Sequence, residues 1–290
     1  MFSKKTVFIL GAGASWHYGY PTGEELVEEI IRRSDELIKN ASSYRYKASA
    51  VPQYIVDIMN EEKISSSHAW DKFTNDCKSL KEKLSDINPL VIDYFLGRNK
   101  ALQKIGKLLI AWIILEREQN YFNLKANINH RNKHKKSPYP ANHKKGDGLI
   151  LKNFKDNWLR FITEKMLTGC DSFEELKKRN HVNFITFNYD ISLERILYNN
   201  FCGIETINGS NEDIGSFFSS DRVIHLYGQV SENFKNFPIL KIIDDEVSKY
   251  VNVTREEKWD MIFLRQFNAA YKALSGINII DPGEKKIEAF

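Results

Sequence analysis

The chain has 290 residues, 42% hydrophobic and 28% charged, a balance that gives a globular protein a sizeable core in one large or two modest domains. A formal net charge of +4 is too weakly basic to argue by itself for nucleic acid. The longest apolar stretch, Leu108–Leu115, is far short of the ~20 residues that cross a bilayer. Cys77, Cys170 and Cys202 are widely scattered and supply neither a disulfide framework nor a four-cysteine zinc site, so they read as reduced packing residues of a cytoplasmic protein.

Thr6–Leu10 is a short, wholly apolar run of β-preferring residues, which predicts a central strand of a parallel sheet buried on both faces. Gly11, Ala12, Gly13, Ala14 and Ser15 follow at once. Residues this small let the backbone turn tightly and approach a phosphate, with free N–H groups directed at the anion. A plain strand-to-loop turn is the competing account, because Trp16 stands where the dinucleotide fingerprint has its third glycine. Gly19, Tyr20 and Pro21 make a second turn, and Thr22 with Glu25 forms a capping box. Leu26, Val27, Ile30, Ile31, Leu37 and Ile38 then recur at helical spacing and predict a helix that lays an apolar face on the sheet.

Ala41–Ser67 reads as polar and irregular, with Tyr44, Tyr46, Tyr54 and nearby Trp70 as aromatic anchors of a small helical layer. From Ile92 to Leu115 apolar residues recur at three and four positions, predicting buried helices with a break at Gly97. His130–Lys145 is basic and loop-like. Its histidines, His130, His134 and His143, lack ligand partners at metal spacing, so no metal site is expected there. An electrostatic contact with nucleic acid or an acidic partner is the sharper reading of this loop. Leu149–Leu167 predicts a closing amphipathic helix.

Two later strands carry polar residues at their ends. Val182, Phe184, Ile185 and Phe187 predict a buried strand, and Asn188 and Asp190 follow before a helix with Leu193, Ile196 and Leu197. In an open α/β sheet such positions face the ligand crevice, although an Asn and an Asp here can also simply cap the helix. Val223–Tyr227 predicts a third strand ending at Gly228, with His225 and Tyr227 on one face. Either is a candidate base or hydrogen-bond donor toward a ribose, and a packing role is the alternative for the histidine.

In this order, the strings VFILGAGAS with GYPTGEEL, FITFNYD and VIHLYG resemble the sirtuin-like proteins of bacterial antiphage systems over most of the chain. The resemblance implies an α/β fold: a Rossmann-like parallel sheet flanked by helices, formed by residues 1–40 and 181–290, with a large all-helical insertion at 41–180. It implies that Gly11, Ala12, Gly13, Ala14 and Ser15, with Pro21 and Thr22, bind NAD+. Asn188, Asp190 and one of His225 or Tyr227 are then the catalytic residues. The histidine that precedes the family's glycine is Tyr227 here, with His225 one step back on the same face. The zinc module of deacylating sirtuins cannot be built from these cysteines, which directs the expectation away from deacylation. A final strand of the family, beyond Asp281–Phe290, is expected to be lacking.

The implied activity is NAD+ glycohydrolysis, cleavage of NAD+ to nicotinamide and ADP-ribose, as an effector of defence by NAD+ depletion. Such an enzyme needs control, so a HerA-type ATPase, a phage-derived trigger or a homo-oligomer is an expected partner. The alternative is a non-catalytic NAD+ or ADP-ribose sensor. A dehydrogenase fits least, since Asp35 and Glu36 fall within a predicted helix rather than at the end of a second strand.

Overall fold

The structure, a computed structural model, describes residues 1–47, 51–130, 158–205, 207, 209–218, 222–230 and 255–279. It is an α/β protein, mostly helical, with a small parallel sheet. The chain divides into two compact units, Met1–Pro21 with Asn120–Asn236 and Thr22–Gln119 with Phe237–Phe290.

In the first unit, β1 (Thr6–Leu10), β2 (Val182–Thr186) and β3 (Val223–His225) lie parallel in the order β1-β2-β3. The register sets Phe8 beside Phe184 beside Val223, and Leu10 beside Thr186 beside His225. Alternation puts these residues on one face, and that face is the core. Phe8 stacks on Phe184 with ring centroids 5.5 Å apart and meets Trp158 of α7 (Trp158–Leu167) at 6.4 Å. The opposite face of β1 is open, with Val7 and Ile9 56% and 71% exposed. The expectation of a strand buried on both faces is therefore corrected. An unbroken apolar run does not say how many of its faces are covered.

Helices α8 (Phe173–Arg179), α9 (Ser192–Cys202) and α10 (Asn211–Phe217) complete the unit with the short α1 (Gly13–Trp16). Ser172 caps α8 and Ser210 caps α10, each hydroxyl accepting from a backbone N–H three residues on. Helix α9 is buried from Ser192 to Leu197, including Glu194 and Arg195.

The second unit is helical. It contains α2 (Gly23–Lys47), α3 (Gln53–Glu62), α4 (Ser66–Ile87), α5 (Ile92–Arg98), the greater part of α6 (Gln103–His130) and α11 (Arg255–Ala273). The expected capping box is formed: Thr22 N–H donates to Glu25 Oε2 at 2.7 Å, and Glu25 N–H reaches Thr22 Oγ1 at 3.4 Å. The apolar stripe of α2 packs against α4 and α5 of its own unit. The stretch expected to be irregular is instead the end of α2, all of α3 and the start of α4. Residue 40, the expected boundary, falls inside α2. Tyr54, Phe73, Trp112, Phe263 and Phe267 form the aromatic centre of this unit, with neighbouring ring centroids 5.3–6.0 Å apart. The helix break falls at Asn99, two residues after Gly97.

No described helix is long and apolar enough to cross a membrane. Most of the basic stretch at 130–145, residues 149–157 and the region of 281–290 lie outside the described residues.

Candidate functional site

At the carboxyl end of β1 the chain turns directly into α1. Ala14 N–H bonds to Gly11 O at 2.9 Å and Ser15 N–H to Ala12 O at 3.2 Å. Two of the N–H groups expected to face an anion are thus engaged in the turn. Gly11 and Gly13 are exposed, and among the described residues a Cβ added to either meets nothing within 4 Å. Ser15 is buried and points its hydroxyl inward.

At the carboxyl end of β2, Phe187 N–H bonds to Leu10 O at 3.0 Å, holding this segment beside the glycine turn. Asn188 N–H bonds to Thr186 Oγ1 at 3.0 Å. Asn188 Nδ2 then donates to Ser15 Oγ at 2.7 Å, and Ser15 Oγ donates to Asp190 Oδ1 at 3.0 Å. Ser192 adds its backbone N–H to Asp190 Oδ1 at 3.0 Å and its hydroxyl to Ser15 Oγ at 3.3 Å. Asp190 precedes the N-cap residue of α9, Ile191, so the capping reading is not met; its carboxyl instead ties the Ser192 N–H to the cluster with Ser15. Burial pushes the Asp190 carboxyl upward from its ordinary value, and the bonds from Ser192 and Ser15 offset this only in part.

The cluster borders a cavity of about 10 Å³ lined by Ser15, Thr186, Asn188, Asp190, Ser192 and Trp158, among others. That is room for about one water molecule. Trp158 roofs it, donating Nε1–H to Ala14 O at 2.8 Å. Asn188 Oδ1 is buried with no hydrogen-bond partner among the described residues.

His225, the last residue of β3, is brought to the same cluster. Its Nδ1 lies 2.9 Å from Asn188 O and its Nε2 2.7 Å from Glu194 Oε1. Both neighbours are acceptors, so satisfying both requires a proton on each ring nitrogen. Burial draws the His225 pKa down, but the Glu194 charge and bond, Asn188 O and the Asp190 charge together raise it above the ordinary histidine value. Both ring nitrogens of His225 are thus engaged.

Tyr227 is not on the strand. β3 ends at His225, Leu226 and Tyr227 lie in a turn closed by Gly228 N–H to His225 O at 3.2 Å, and Gly228 has φ +73°. The shared face expected for His225 and Tyr227 is corrected accordingly. Tyr227 packs instead against Phe187 and Tyr189, with centroids 5.6 and 6.2 Å away. Pro21 is buried, and Thr22 is occupied in capping α2 in the second unit.

The structure brings together Ser15, Asn188, Asp190 and His225. Sequence reasoning missed Trp158, Thr186, Ser192 and Glu194 as members of the cluster. Glu194 had a faint signal, a carboxylate between Leu193 and Ile196 on a helix that starts at a ligand crevice. No group of three or more metal-ligating side chains occurs among the described residues. No protein-family model, curated protein or solved structure matches the chain.

Proposed function

We propose that the first unit is a Rossmann-like dinucleotide site and that the protein is an NAD+ glycohydrolase, releasing nicotinamide and ADP-ribose. One observation carries this reading. A buried hydrogen-bonded chain, Asn188 to Ser15 to Asp190, joins the small-residue turn after β1 to the segment after β2, at the end of a parallel sheet where ligands of α/β proteins bind.

In this reading the exposed Gly11–Gly13 turn receives the diphosphate, because it carries no side chain to keep a phosphate away. Asn188 orients a water through its amide, and the one-water cavity beside it supports that role. The transition state of glycosidic cleavage is oxocarbenium-like, so nicotinamide departs before the bond to water is advanced. The demand on a base is then small, consistent with a His225 whose nitrogens are both engaged. The water oxygen bonds to the ribose carbon, nicotinamide leaves with the bonding pair, and a proton passes to solvent. Asp190 holds Ser15 and the start of α9 in place.

A dinucleotide needs a pocket of several hundred Å³, so Trp158 must leave Ala14 O before NAD+ enters. This favours an enzyme that is off at rest and opened by a partner such as a HerA-type ATPase, a phage-derived component or self-assembly. The second reading, a sensor that binds NAD+ or ADP-ribose without cleaving it, is favoured by the closed cavity and the engaged His225.

The test is nicotinamide release from NAD+ by the full chain, alone and with a HerA-type ATPase added. Gly13→Ala adds a methyl into open space and should leave the fold intact while weakening NAD+ binding at least about tenfold by obstructing close approach. Asn188→Ala should lower release by about 100-fold. Binding without release under every condition leaves only the sensor. An unchanged affinity in Gly13→Ala removes the dinucleotide reading.

A further inference from the structure

We propose that Glu194 is a positioning residue of this site: through His225 it fixes the carbonyl of Asn188, and with it the segment that presents Asn188 and Asp190 to Ser15. The inference rests on the reading of Asn188 as the residue that orients the reacting water, and it adds a residue that the sequence did not single out.

Three elements meet in this contact. Glu194 lies in the first turn of α9, His225 ends β3, and Asn188 follows β2. The bridge runs from Glu194 Oε1 to His225 Nε2 at 2.7 Å and from His225 Nδ1 to Asn188 O at 2.9 Å. The side chains of His225 and Glu194 are only 6% and 5% exposed, so water does not compete freely for these bonds.

A neutral imidazole carries one N–H and cannot donate to both a carbonyl and a carboxylate. Only the imidazolium satisfies both, and a buried imidazolium needs a counter-charge nearby. Glu194 supplies it directly. Asp190, from the segment after β2, adds a second negative charge that acts on the ring through space. The other charged side chain buried on α9, Arg195, donates to Tyr20 Oη at 2.9 Å. Without the Glu194 charge the ring loses a proton, and without the Glu194 side chain nothing holds Nε2, so the ring no longer fixes the Asn188 carbonyl.

Because the folded pKa of His225 is raised, its contribution is present at the ordinary histidine value and is lost as pH rises through the raised one. Removing the Glu194 charge moves this loss to lower pH.

Glu194→Gln in the full chain tests the role while preserving side-chain shape. Ring nitrogen NMR should find both His225 nitrogens protonated just below the ordinary histidine value in the wild type, and the variant should titrate about one pH unit lower or more. Backbone amide exchange at Asn188–Ser192 should be about tenfold faster in Glu194→Ala, which leaves Nε2 of His225 without its partner. The alkaline limb of nicotinamide release should move with the titration, which a merely structural loss would not do. A His225 that is neutral below the ordinary histidine value in the wild type overturns the proposal, as does a Glu194→Gln titration or alkaline limb, or a Glu194→Ala exchange rate, that stays where the wild type has it. A wild type that releases no nicotinamide, alone or with a partner, sinks the glycohydrolase reading, and titration and exchange then decide the role of Glu194 by themselves.

Discussion

Asn188 and Ser15, 173 residues apart in sequence, are joined by a 2.7 Å hydrogen bond between a side-chain amide and a hydroxyl. The same hydroxyl donates to Asp190, so one serine oxygen ties the turn after β1 to the segment after β2. Ser15→Ala removes the partner of a buried amide and one donor to a buried carboxylate. Leaving such groups unsatisfied costs about 1–3 kcal/mol. The expected result is a urea midpoint lowered by that energy divided by the slope, with the slope unchanged, together with loss of nicotinamide release. A variant as stable as the wild type removes Ser15 as the junction of the site.

Trp158 closes the cavity with one hydrogen bond and one aromatic contact, to Ala14 O and to the ring of Phe8. Trp158→Phe keeps the ring and deletes the bond, at a cost of about 0.5–1.5 kcal/mol. If the indole is the barrier to entry, NAD+ binds this variant more tightly and nicotinamide release without any partner increases. Titration calorimetry with NAD+ checks the first, and a release assay on the isolated chain checks the second. Equal affinity in both proteins removes Trp158 as the barrier.

Much of the local structure was legible because it rests on local chemistry. Thr6–Leu10 is the strand its β-preferring run predicts, and Thr22 with Glu25 makes the capping box that four residues spell out. What was not legible depends on partners distant in sequence. The apolar stripe of α2 announces burial but not that α4 covers it. The open face of β1, with Ile9 71% exposed, has the same composition as its buried face. Glu194 and Arg195 resemble the solvent side of an amphipathic helix, yet both are buried, because Glu194 meets His225 and Arg195 meets Tyr20. Tyr227 was placed on a strand because nothing in VIHLYG marks where pairing stops, and the turn at Gly228 ends it two residues early.

Gly106 shows the second unit at its tightest. A Cβ there comes within 2.5 Å of Leu96 Cδ2 and 2.7 Å of Leu96 Cδ1, and Leu96 is fully buried with nowhere to swing. Gly106→Ala gains helix propensity and would stabilise an exposed helix. Here overpacking outweighs that gain, and a loss of about 1–3 kcal/mol is expected in denaturant unfolding. The paired change Gly106→Ala with Leu96→Ala should lose less than the two single losses added together, since the second substitution makes room for the first.

The two units respond to acid with opposite signs through two carboxylates. Asp35, on α2, is held at about 2 by hydrogen bonds from Lys39 and Lys81. Its folded value lies below the unfolded value near 3.9, so its contribution is present above that value and is lost as pH falls toward 2. Asp190 is the reverse: burial raises its folded value. Between the unfolded value and the raised one the folded state binds more protons, so stability falls as pH rises through that window. Asp190→Asn keeps an acceptor for Ser15 and Ser192 and should flatten the curve above about pH 4, whereas Asp35→Asn should flatten it below. Urea midpoints across the acid range for the wild type and both variants decide it. An Asp190→Asn curve parallel to the wild type above about pH 4 rules out a carboxyl raised by burial at this position.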